Sequence, residues 1–146
     1  MATPPLIFVL NGPNLNLLGT REPEIYGSAT LDDISAMMVE RADELGVELD
    51  IRQSNHEGHL IDWLHEARAN GAKAVIINPG GYSHTSVALH DAVKAISTPV
   101  IEVHLSDPEA RESFRHTDLV AMAAARVIKG QGAQGYLTAL DEAARL

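Results

Sequence analysis

The sequence predicts a doubly wound α/β fold of the flavodoxin-like type: five parallel strands in the order 2-1-3-4-5, with helices on both faces. Three observations carry this prediction. Continuous apolar runs that stop at Asn, Gly and Pro read as strands buried on both faces, which belong to parallel sheets. Amphipathic stretches alternate with these runs as βαβαβαβαβα, the pattern of right-handed crossovers. All of it is contained in 146 residues, 45% of them hydrophobic and 21% charged, so residues 1–146 are expected to form one domain.

Each element has its own signal. Leu6-Ile7-Phe8-Val9-Leu10 is an unbroken run ending at Asn11-Gly12-Pro13, hence a central strand. Thr30-Leu31-Asp32-Asp33 supplies a helix-capping signal, and Leu31, Ile34, Met38, Ala42 and Leu45 recur at helical spacing before Gly46. Val47–Ile51 alternates and reads as an edge or half-exposed strand. A helix carrying Leu60, Ile61, Leu64 and Ala67 follows and ends at Gly71, and Ala74–Ile77 is a second buried strand that stops at Asn78-Pro79-Gly80-Gly81. Leu89, Ala92, Val93 and Ile96 mark the next helix, closed by Pro99. Val100–Leu105 is the fourth strand, Pro108–Phe114 a short helical turn, Val127-Ile128 the centre of a weaker fifth strand, and Ala133–Arg145 a last helix.

Composition narrows the partners. Eleven Lys and Arg against 20 Asp and Glu give a formal charge of −9, which disfavours nucleic acid or an anionic membrane as the main partner. With no cysteine, disulfides, thiolate metal sites and Cys nucleophiles are excluded together. Leu6–Leu10 is far shorter than a signal-peptide core or a membrane span, so a cytoplasmic protein is expected.

In an open doubly wound sheet, ligands bind beyond the carboxyl ends of the strands, near the point where strand order reverses. Three polar loops fall there, after the first, third and fourth strands. The first, running from Asn11 through Arg21 to Tyr26-Gly27, is long for such a connection. A guanidinium near Tyr26 would favour the phenolate and make it a usable base; from spacing alone, a surface Arg21 and a Tyr packed on the loop fit as well. The third-strand loop holds Asn78, His84, Thr85 and Ser86. There His84 binds a hydroxyl or caps the helix starting near Thr85 or Ser86. On the fourth strand, Glu102 and His104 share a face, and a carboxylate beside an imidazole fixes its tautomer and raises its pKa, as a general acid needs. A hydrogen-bonded core histidine is the alternative.

Other patterns carry less. Gly130-Gln131-Gly132-Ala133-Gln134-Gly135 fits G-x-G-x-x-G but comes too late for a dinucleotide site and reads as a tight turn packing the last helix. His56 and His59 lack metal-ligand spacing, no G-x-S-x-G elbow is present, and no metal or other cofactor is expected.

The loops in sequence carry a resemblance. Asn11-Gly12-Pro13-Asn14-Leu15-Asn16-Leu17-Leu18-Gly19 with Arg21-Glu22-Pro23 and Tyr26-Gly27, then Gln53–Gly58, Asn78-Pro79-Gly80, His84–Leu89, Ile101–Ser106, Arg111, Phe114-Arg115 and Gly135-Tyr136, together resemble the type II 3-dehydroquinate dehydratase family over nearly the whole chain. The resemblance implies cofactor-free dehydration of 3-dehydroquinate to 3-dehydroshikimate, in the shikimate pathway, by subunits assembled as trimers into a dodecamer. It assigns Tyr26 as the base at C2 and Arg21 as the group that lowers its pKa. Asn14 would hold the water that stabilises an enolate, and His104, oriented by Glu102, would protonate the departing C1 hydroxyl. Asn78 would bind near that hydroxyl, the amides of Leu105 and Ser106 the carboxylate, and His84 and Arg115 the ring hydroxyls. Arg111 would support the loop, and Asp91 would reach a neighbouring subunit's site. A Schiff-base route needs a positioned lysine, and Lys73, Lys94 and Lys129 all lie outside these loops.

The chain also departs from the family pattern. His90 replaces a usual Arg, Asp107 an Asn and Glu109 a His, while Thr117-Asp118-Leu119 replaces a His-Ser-aromatic stretch; Ala121-Met122 and Arg126 are further departures. None of these was expected to act in the chemistry. The competing expectation is a flavodoxin-like module that binds a small anion or mononucleotide through loop amides without reaction.

Overall fold

The computed structural model describes residues 3–146 apart from Arg21, and of Tyr26 the backbone alone. Five parallel strands, β1 (Leu6–Asn11), β2 (Glu48–Gln53), β3 (Ala74–Asn78), β4 (Val100–Val103) and β5 (Arg126–Ile128), lie in the order β2-β1-β3-β4-β5. The helices are α1 (Pro23–Tyr26), α2 (Leu31–Leu45), α3 (Glu57–Ala69), α4 (Val87–Ala95) and α5 (Gln134–Ala144). Among the described residues, no helix is long and apolar enough to cross a membrane.

The unbroken apolar run of β1 divides by pleat. Ile7 and Val9 face α2 and α5 with Met38, Tyr136 and Leu140, whereas Phe8 and Leu10 face α3 and α4 with Leu60, Leu64 and Leu89. Each such side chain withdrawn from water contributes about 1.5–3 kcal/mol, so both helix layers are held by the same central strands. At the start of α2, Thr30 accepts from the Asp33 N–H and Asp33 accepts from the Thr30 N–H, completing the expected capping box.

Differences from expectation lie at ends and edges. β2 runs on to Gln53; it is the half-exposed edge strand that its sequence implies, with Arg52 over the Phe8 ring at 5.0 Å and ion-paired with Asp50. β4 stops at Val103; His104 still bonds the Ile128 carbonyl, but the chain then turns into the ligand edge. The Pro108–Phe114 turn divides into two 3-10 turns, 108–110 and 113–115, the first capped by the Asp107 carboxylate. The short α1 inside the first loop carries no apolar periodicity and was not foreseen.

Two glycines position the ligand edge. A Cβ on Gly12 would lie 2.6 Å from the Pro79 carbonyl oxygen, so the first and third loops can touch only through a bare backbone. Gly132, at φ +60°, bends the chain so that its N–H reaches the Leu105 carbonyl at 2.9 Å. The glycine-rich segment is therefore a turn that docks α5, with Gly135 close against Val103.

Candidate active site

Beyond the carboxyl ends of β1, β3 and β4 opens a cleft of about 310 Å³. Asn14, Asn78, His84, His104, Leu105, Ser106, Arg111 and Arg115 all line it, so eight of the residues singled out from sequence converge on one hollow. Glu102 stands behind His104, fully buried. Asp91 is exposed on α4 and lines no part of its own chain's cleft. Arg21 and the Tyr26 side chain lie outside the described residues. The neighbours of Tyr26, Ile25 and Gly27, border a second hollow that shares Leu105, Ser106 and Arg111 with the first.

The first loop is held by the segment after β2. Gln53 Nε2 donates to the Gly12 carbonyl at 3.1 Å, and the Asn14 N–H donates to Asn55 Oδ1 at 3.0 Å. Asn14 is left-handed at φ 70°, a conformation Asn tolerates better than most residues. Asn55 is in turn fixed by Tyr82, whose hydroxyl donates to its carbonyl at 2.7 Å. Sequence reading gave Gln53 and Asn55 no role, since the bonds they make span 41 residues.

At the floor, Asn78 Nδ2 donates to the Tyr136 hydroxyl at 2.9 Å, which donates to Asn11 Oδ1 at 2.7 Å. Asn78 Oδ1 accepts from the Gly80 N–H. Burial pushes the Tyr136 phenol up, so it remains a donor. The helix cap left open by the sequence is Ser86, which accepts from the Leu89 N–H and donates to Glu57. His84 is thereby released to the cleft, its Nδ1 donating to the Thr117 carbonyl at 2.7 Å. The carbonyls of Leu105 and Ser106 accept from Gly132 and Gly130, while their N–H groups find no backbone acceptor among the described residues.

His104 Nε2 lies 2.8 Å from Glu102 Oε2, as the shared strand face implied, and 3.3 Å from Asp118 Oδ2. The second carboxylate was not expected. It belongs to a segment with no periodicity to place it, and it is tied by the Ala121 N–H to Oδ1 at 2.9 Å. Burial alone would push the His104 imidazolium down, but the bonds to Asp118 and Glu102 outweigh this and hold it up at about 9. Burial pushes the Glu102 carboxyl up to about 8, against the pull of His104. Asp118, which burial would raise, is held at about 2 by its bonds to His104, Glu102 and Ala121.

Glu102, His104 and Asp118 are the one set of potential metal-ligand side chains grouped within 4.8 Å among the described residues. The imidazole Nε2 is hydrogen-bonded to Glu102 at 2.8 Å and in ion-pair contact with Asp118 at 3.3 Å, so the set reads as an ion-paired proton site. Of the lysines, Lys129 pairs with Glu109 at 3.1 Å, and none of the three lines the cleft.

The fold and its edge together define a doubly wound α/β protein with an imidazole and two carboxyl groups gathered at a cleft beyond the carboxyl ends of its strands. Residues 5–144 match the family model of class II dehydroquinase, and the chain belongs to that family. It is 60% identical over 139 residues to the 3-dehydroquinate dehydratase of Rhizobium meliloti, covering 94% of this chain and 92% of that one. It is 56% identical over 138 residues to the enzyme of the same name from Rhodopseudomonas palustris, covering 94% and 91%. Among solved structures, the type II dehydroquinase of Butyrivibrio crossotus superposes with a TM-score of 0.95 at 41% identity, over 97% of this chain and 99% of that one.

Proposed function

We propose that this chain dehydrates 3-dehydroquinate to 3-dehydroshikimate by anti elimination through an enolate. The carrying observation is the buried 2.8 Å contact between His104 and Glu102 at the floor of the cleft, in a chain of this family. Tyr26, activated by Arg21, removes a C2 proton, and the electrons move onto the ketone oxygen as an enolate, stabilised through a water held by Asn14. The enolate collapses to form the C1–C2 double bond as His104 delivers a proton to the C1 hydroxyl, which leaves as water. Tyr26 then holds one proton and His104 lacks one; exchange with solvent restores both.

Binding follows the walls of the cleft. The N–H groups of Leu105 and Ser106 receive the carboxylate, Asn78 the C1 hydroxyl, and His84 and Arg115 the ring hydroxyls, while Arg111, whose Nη1 donates to Ser106 Oγ at 3.4 Å, steadies the loop. The three lysines stand away from the cleft, which favours an enolate over an imine. In the same reading the chain forms trimers assembled into a dodecamer, with Asp91 completing a neighbour's site. Its exposure on α4, outside its own cleft, supports this.

The test is incubation of the purified protein with 3-dehydroquinate while following the ultraviolet absorbance of the conjugated enone. Appearance of the enone at catalytic protein concentration is expected. Stoichiometric binding with no enone formed would favour an anion-binding module.

A further inference from the structure

Two carboxyl groups meet at one imidazole nitrogen, and their surroundings differ. Glu102 is wholly buried, and its Oε1 has no hydrogen-bond partner. A negative charge there would sit on an unsolvated oxygen, the costliest place for it. The Asp118 side chain is 18% exposed, its Oδ1 takes the Ala121 N–H, and its Oδ2 faces His104 at 3.3 Å. Its carboxylate lies within 4.8 Å of the Glu102 carboxyl, and Lys129 adds a nearby positive charge. The other ionisable residues that line the cleft with His104 are His84, Arg111 and Arg115, none of them an acid.

We propose that Asp118, rather than Glu102, is the anionic partner of His104, a positioning residue that keeps the imidazole charged and directs the transferable proton to Nδ1. This rests on the reading of His104 as the proton donor. Glu102 in this arrangement is a neutral carboxyl whose Oε2 accepts from His104 at 2.8 Å. With Nε2–H held between two acid side chains, only Nδ1–H is left to give up, and the neutral ring that results keeps Nε2–H toward Asp118. The directions of the two acids agree with this: burial pushes Glu102 up, whereas Asp118 is held low by its contacts with His104 and the Ala121 N–H against the opposing effect of burial. The loop carrying Asp118 is clamped from α4 and the loop before it, by His90 Nδ1 on the Leu119 carbonyl at 2.6 Å and by His84 on Thr117. Two departures from the family pattern, His90 and Thr117-Asp118-Leu119, thus meet in one structure.

The deciding variant is Asp118→Asn, whose side-chain oxygen can still accept from Ala121 while its charge is gone. Removing a carboxylate this close lowers an imidazolium pKa by about 1–3 units. The alkaline limb of kcat, where a protonated His104 is lost, should move down in pH by that amount, and the Nε2 and Nδ1 resonances of His104 should titrate lower by the same shift in nitrogen NMR. Asp118→Glu should recover part of both. Asp118→Ser, smaller and neutral, repeats the measurement if the Asn variant folds poorly. A His104 titration unmoved in the neutral variants, or activity reduced equally at every pH, would overturn the assignment. The NMR arm needs no turnover, so a wild-type protein that forms no enone would refute the dehydratase reading while leaving this one decided by the titration.

Discussion

Tyr136 on α5 fixes the carboxamide of Asn78 at the end of β3 through a fully buried 2.9 Å hydrogen bond between residues 58 apart in the chain. The same hydroxyl donates to Asn11 at the end of β1. One phenol therefore sets the rotamers of two amides at the ligand edge, and holds the Asn78 side chain against a cleft whose polar groups must be in place before a ligand arrives.

Tyr136→Phe keeps the ring in the core but strands a donor on Asn78 and an acceptor on Asn11. Buried groups left unpaired cost about 1–3 kcal/mol. Urea denaturation should show a loss of that size with an unchanged slope, and KM for 3-dehydroquinate should rise as Asn78 loses its fixed orientation. Unchanged stability together with unchanged KM would mean that water replaces the hydroxyl and that the bond positions nothing.

How much of this could be read beforehand depends on the range of the interaction. β1 and β3 announce themselves because both faces are buried, and Glu102 and His104 fall on one face because a strand repeats every two residues. The grouping of the cleft loops follows from strand order alone. Asn11, Asn55, Tyr136 and Asp118 were given no role in the site, since their contacts depend on where distant segments are brought by the fold, and a stretch such as 116–125 has no period to place a side chain. Even at His104, spacing identified the adjacent carboxyl but not which carboxyl carries the charge.

The same cluster should make stability depend on pH. Glu102 binds its proton more tightly in the folded chain, at about 8 against 4.5 for a free carboxyl, and His104 does so at about 9 against 6.5. The native state thus holds more protons than the unfolded state between about pH 5 and 9, so stability falls as pH rises through that window. Asp118, held at about 2 against 3.8, acts below it, where its contribution is lost as pH falls through about 2. Urea midpoints should decline from about pH 5 to about pH 9, and Glu102→Gln, which mimics the protonated acid, should flatten the lower part of that decline. A midpoint that rises across the window would contradict the buried, protonated Glu102.

His104→Ala separates the two halves of the elimination. In the proposed mechanism, proton removal at C2 requires Tyr26 and the enolate site, whereas loss of the C1 hydroxyl requires the acid. The variant should exchange the C2 proton with deuterated solvent while its dehydration rate falls by at least about 10²-fold. Deuterium incorporation followed by proton NMR of the substrate measures the first step and enone absorbance the second. Undiminished dehydration would remove His104 from the acid role.

Asp91 lies on the exposed side of α4, whose buried residues Leu89, Ala92 and Val93 face the sheet, so its carboxylate points away from the core of its own subunit. If it completes a neighbour's cleft, Asp91→Ala should raise KM, and the defect should be repairable by a second chain. Mixing Asp91→Ala with Tyr26→Phe protein creates, at some subunit boundaries, a cleft with an intact Tyr26 from one chain and an intact Asp91 from the next. Neither parent has such a site, so the mixture should be more active than the sum of the two alone, in proportion to the fraction of mixed boundaries. Native mass spectrometry measures that fraction directly. If chains exchange freely and activity still equals the sum of the parents, then Asp91 acts within its own subunit or not at all, and the cleft lined by Asn78, His84 and Arg115 must bind its substrate without help from a neighbour.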